Sequence, residues 1–161
     1  MAETIQVGTE QRTLGKPQVK HYLNATRLLL DILKRNDTLL EAIARGSESA
    51  KDLEDGQSVD ARTSVDMLKA FIDFLAELQE EDICRVGAVL LQFKDIDEGV
   101  VFIEKAGGVE LGWLTEAFAI NAETADIGRV VENFRRTVQA VQAQRRALAG
   151  KQADPEPILA G

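Results

Sequence analysis

The sequence predicts an all-α protein, a multi-helix bundle around a central helical hairpin, preceded by a short extended or β-hairpin-like N-terminus. Three observations predict it. Apolar residues recur at spacings of three and four along most of the chain, as they do on one face of a helix. Only 3 prolines occur in 161 residues, so few positions interrupt those helices. Residues 61–93 also hold two apolar-rich segments in succession. Leu68, Phe71, Leu75 and Leu78 mark the first, and Ile83, Val86, Leu90 and Phe93 the second. Gln79-Glu80-Glu81-Asp82 between them is too polar for a core, so the two helices should turn there, and the rest of the chain must cover them.

The elements follow in order. Thr4-Ile5-Gln6-Val7 alternates, Gly8-Thr9 is turn-like, and Arg12-Thr13-Leu14 can return as a second strand. Disorder serves equally well for residues 1–16, because an isolated two-stranded hairpin is marginal in water. Pro17 suits the first turn of a helix, whose stripe runs through Val19, Tyr22, Thr26, Leu29 and Leu33 to Arg35. Asn36-Asp37 breaks it. Thr38 and Glu41 have the spacing of a capping box, opening a short helix to Arg45 that Gly46 ends. Another short helix spans Ser47 to Leu53, and Ser58 or Asp60 caps the first core helix. After the core pair, Asp95 opens a helix that Gly107-Gly108 ends, and Val109–Ala122 forms the next. Thr124 or Asp126 starts the last helix, reaching Ala149, with Ile127, Val131, Phe134, Val138 and Val141 stepping four and three. The division expected is an N-terminal arm (1–16), a helical domain (17–149) and a flexible tail (150–161) containing Asp154-Pro155-Glu156-Pro157.

Charge narrows the partners. The net charge is −8, with 13 acids against 4 bases in residues 37–82 and 8 against 1 in residues 95–126. Such a body repels nucleic acid and anionic membrane. Residues 127–151 invert the sign, with six bases against Glu132 alone. Those bases complement a helix C-terminus and the acidic body, or else an acidic partner. One cysteine, Cys84, cannot form an internal disulfide, and no secretory or membrane-spanning pattern is evident, so a cytoplasmic location is expected.

Chemistry was sought in the patterns that carry it. A single histidine, His21, excludes multi-histidine metal centres. On an amphipathic helix between Lys20 and Tyr22 it reads as structural and partly exposed, and Cys84 reads as a buried inert thiol. Asp95-Ile96-Asp97-Glu98-Gly99 fails as a calcium loop, because glycine stands at position five and alanine at twelve; its acids suit a helix start instead. No phosphate loop or nucleophile elbow occurs. No catalytic, cofactor-binding or metal-binding residue is therefore assigned, and the chain is expected not to be an enzyme. Residues 49–71 have the lengths of a helix-turn-helix, giving a nucleic-acid-binding regulator as the rival reading. Asp60 and Asp66 stand on its recognition helix beside Arg62 and Lys69, where phosphate wants cations.

Ile5-Gln6-Val7-Gly8, then Arg12-Thr13-Leu14, then a helix from Pro17 and an acidic helical body resemble the small tail assembly chaperones of long-tailed bacteriophages. The resemblance covers about 30 residues and implies a non-enzymatic protein that shields a long apolar tape-measure helix or another tail component before assembly. A helical structural adaptor in the virion is the related expectation. Function is then expected in a protein–protein interaction surface, with self-association through the last helix as one form of it. The candidate partner-binding residues are Val131, Phe134, Val138, Val141, Arg145, Arg146 and Leu148, with Ile158 and Leu159 in the tail.

Overall fold

The structure, a computed structural model, describes residues 2–39, 61–124 and 127–152; for 61–67, 124, 127–135 and 152 it describes the backbone alone. The chain is mostly helical, with one small antiparallel sheet at its N-terminus. In order come β1 (Glu3–Val7), β2 (Glu10–Leu14), α1 (Val19–Arg35), α2 (Ala61–Ala76), α3 (Glu80–Leu90), α4 (Ile96–Ala106), α5 (Leu111–Thr124) and α6 (Ile127–Gln152). Among the described residues, no helix is long and apolar enough to cross a membrane.

The two strands close through Gly8-Thr9, with Val7 paired to Glu10 and Glu3 to Leu14. Gly8 has φ +55°, the left-handed value that a two-residue hairpin turn with glycine first requires. Alternation puts Thr4 and Thr13 outward, their hydroxyls 3.1 Å apart, and Ile5, Val7 and Leu14 inward. Those three are at most 1% exposed. The expected arm is thus a hairpin with one face in the core, and burial of each side chain contributes roughly 1.5–3 kcal/mol. β1 packs on α5, and the turn seats on the end of α4, where the Thr9 N–H donates to Ala106 O at 3.0 Å.

Helix α1 begins one residue after Gln18, so Pro17 lies just outside it. Its buried line is Asn24, Leu28, Ile32 and Leu33. Val19 and Leu23 point to solvent, so the expected stripe is rotated over its first two turns. The reason is Asn24, a polar residue that turns inward to bond backbone carbonyls. At the far end, Asn36 Oδ1 accepts from Leu39 N at 3.0 Å, so helix resumes from an Asn36 cap, two residues before the expected Thr38. The rest of that helix, the helix at 47–53 and the Ser58 or Asp60 cap lie outside the described residues.

The central helical pair differs from the expected one. α3 does follow α2 after a break at 77–79, but among the described residues it packs most extensively on α4. Small residues decide this. A Cβ on Gly99 would stand 2.5 Å from Ala88 Cβ, and one on Gly87 would stand 3.1 Å from Ile103 Cδ1 of α4. Only glycine lets the backbones approach so closely. α2 instead packs on α5, with Phe71 stacked on Phe118 at 4.2 Å between ring centroids and 7° between planes. α5 buries Trp113, Leu114, Ala117 and Ile120, and it touches β1, α2 and α3. α4 ends as expected, with Gly107 at φ +116° and the Gly108 N–H donating to Ile103 O at 2.9 Å. α6 packs along α1.

Candidate functional site

The expected interaction seam divides along α6. Val138 and Val141 are 2% exposed, on the face they share with Arg145. Arg145 reaches back to α1, donating to Leu33 O at 3.1 Å and pairing with Asp37. These three residues are engaged by the chain itself. Arg146 and Leu148 are exposed, Leu148 at 58%. From residue 146 to 151 every residue of the helix is exposed, so its last turns stand clear of the body. Helix α6 starts at Ile127, Thr124 falls in α5, and the Asp126 cap lies outside the described residues, as do Ile158, Leu159 and the side chains of Val131 and Phe134.

Two polar clusters lie elsewhere; the sequence points to neither junction, and it reads Asp82 as part of a solvated acidic corner, whereas Asp82 is buried against Arg35. The first surrounds the α3–α4 connection. The last carbonyls of a helix have no partner further along it, and at the end of α3 those of Ala88 and Val89 accept from Phe93 N and Gln92 N, beyond the helix. Asn121 Nδ2 donates to Leu90 O at 2.8 Å, Arg12 Nε to Leu91 O at 3.0 Å, and Asn24 Nδ2 to Lys94 O at 3.1 Å. Gln92 completes the junction from a left-handed φ of 58°. Its amide accepts from Gly15 N at 3.1 Å, donates to Gly15 O at 2.7 Å and donates to Asn121 Oδ1 at 3.1 Å. The Arg12 guanidinium also lies 4.0 Å above the Phe93 ring. Hairpin, α1, α3 and α5 are thereby tied at one point. Arg12, Asn24, Gln92 and Asn121 each bond backbone groups, and Gln92 also bonds Asn121, so the cluster serves to position elements.

The second cluster joins the end of α1 to the start of α3. Arg35 grips Asp82 with two nitrogens, at 2.9 and 3.3 Å, and Asp31 at 3.0 Å. Arg85 adds a contact to Glu81 at 2.9 Å. The Asp82 side chain is 8% exposed, a buried carboxylate held by a partly exposed guanidinium. The hydrogen bond to Asp82 raises the Arg35 pKa further above its ordinary value.

The two residues weighed for chemistry are both structural in setting. His21 Nδ1 accepts the Gln18 N–H at 2.9 Å, capping α1. Burial lowers its pKa, and the positive charges of Lys94 and Arg12 lower it further. Cys84 is half-buried rather than buried, and burial followed by Glu104 and Glu80 raises its pKa, which keeps the thiol protonated. Asp95 caps α4, accepting from Asp97 N at 2.9 Å and Glu98 N at 3.3 Å, which accounts for the acidic run there. Among the described residues, no group of three His, Cys, Asp or Glu side chains could hold a metal ion. Residues 49–60 of the helix-turn-helix pattern lie outside the description; in the helix that follows, Phe71 and Leu75 are buried.

The class this arrangement defines is a mostly helical protein with a hairpin built into its core. No family model matches the chain, and no curated protein or solved structure matches it either.

Proposed function

We propose that this chain is a helical protein–protein interaction module, acting as an assembly chaperone or structural adaptor of the kind its sequence resembles. It works by offering apolar ridges to a protein partner and uses no reactive group of its own. The observation that carries this reading is Leu148, 58% exposed on the turns of α6 that stand clear of the body. It continues an apolar seam whose members Val138 and Val141 are already covered, so it extends core spacing into solvent. Arg146 and Lys151 flank it and favour an acidic, amphipathic helix as the partner.

The test is association measured by size-exclusion with light scattering, alone and with a solubilised apolar helical cargo. Leu148→Asp combined with Arg146→Glu should abolish binding while leaving the thermal melt in place, because both side chains are exposed. Binding that survives the double variant, or a chain that binds neither itself nor cargo, defeats the proposal.

A further inference from the structure

Helix α1 separates two regions of opposite charge. Its first turn carries exposed Lys20 and follows exposed Lys16, and its His21 lies within electrostatic reach of Lys94 and Arg12. Both charges acting on His21 are positive, so the field there is positive despite Glu3 at the hairpin's open end and Asp95, whose carboxylate caps α4. Among the described residues, no carboxylate lies within ion-pair distance of Lys16, Lys20 or Lys94. Val19 and Leu23, 66% and 50% exposed and one helical turn apart, stud this end with apolar surface.

The other end of α1 meets the acidic corner between α2 and α3. Asn36 Nδ2 donates to Glu77 O at 3.4 Å and Arg35 holds Asp82, fixing that corner beside the helix C-terminus. Asp73, Glu77 and Glu80 are exposed there, with Ile72 38% exposed among them, while Arg85 pairs with the neighbouring Glu81. Lys34 and Arg35 are both exposed on the last turn of α1, but Arg35 is committed to Asp31 and Asp82, and among the described residues no carboxylate pairs with Lys34. From Val19 to Arg35 the helix rises about 24 Å, so the two ends cannot neutralise each other within one molecule.

We infer that the basic, apolar-studded start of α1 docks on the acidic α2–α3 corner of a second copy of this chain, joining copies head to tail. The chain itself supplies both halves of the complementarity, in charge and in exposed aliphatic groups, which argues for a second copy as occupant. A contact between two different surfaces does not close on itself as a twofold does, so it generates rings or open chains.

Sedimentation equilibrium on the full chain tests this over a concentration series at low and high salt. At low salt the mass should rise to at least twice that of the monomer, and high salt should return it to the monomer. Lys20→Glu with Lys94→Glu, and separately Glu77→Lys with Glu80→Lys, should each give a monomer with an unchanged melt. Mixing the two variants should restore a complex, because each keeps the end the other needs. A monomer under all conditions overturns the inference. So does association that survives either charge reversal. Loss of association with Leu148→Asp alone would assign the contact to the last helix instead. Binding of the wild-type chain to vesicles of anionic lipid, with no self-association, would assign the basic end to a membrane and equally sink it.

Discussion

Gln92 occupies a left-handed backbone position that glycine holds at about 1–2 kcal/mol less strain, and its side chain is what repays the difference. It satisfies both backbone groups of Gly15, a residue 77 positions earlier. Two substitutions separate the contributions. Gln92→Ala keeps the strain and loses the hydrogen bonds, whereas Gln92→Gly loses the bonds and relieves the strain. Both should lower stability in urea denaturation, with Gln92→Gly the milder by about 1 kcal/mol. His21 adds a pH dependence. Its folded pKa is depressed, so its contribution is complete above the unfolded value of about 6.5 and is lost as the pH falls toward the folded one. Protonation of Nδ1 removes the acceptor for Gln18 N–H. The wild type should therefore lose more stability between pH 7.5 and 5.5 than His21→Asn, which accepts the same N–H without titrating. The hairpin turn could be read from Gly8-Thr9 because turn chemistry is local. Asn24 and Gln92 could not, because their partners lie 69 to 77 residues away and leave no trace in nearby spacing.

Helices were legible wherever a three-four period met a local stop signal, as at Asp95 and Gly107-Gly108. Which helices pair was not. Hydropathy marks α2 and α3 as adjacent apolar segments, but pairing depends on how closely two backbones can approach, and a glycine carries no hydropathy signal. Gly99 against Ala88 made α3 and α4 the tight pair. Gly99→Val should accordingly cost more than a surface substitution in the same helix, on the order of 2–4 kcal/mol, measurable as a lower urea midpoint with the slope unchanged. Exposed Val101, two residues on, provides the control: Val101→Ala should stay within about 0.5–1 kcal/mol of wild type. The candidate interaction seam shows the same limit. Its period along α6 was legible, but the period cannot say which members α1 covers and which face water.

At the scale of the whole molecule, the first strand and the fifth helix form one packed unit. Ile5, Val7 and Leu14 belong to the same core as Trp113 and Leu114. A chain lacking residues 2–15 would leave that core open to water on one side. It should bind a hydrophobic dye and lose its cooperative melt while retaining most of its helical circular dichroism. The seat of the turn on Ala106 O also bears on how the molecule is made. Synthesis runs from the N-terminus, so the two strands leave the ribosome with their apolar face uncovered and nothing yet built to receive it. They wait through the translation of some hundred residues until the fourth and fifth helices emerge. A segment made so far ahead of its partners is thus among the last to find shelter, and in that interval it is a part in need of a companion.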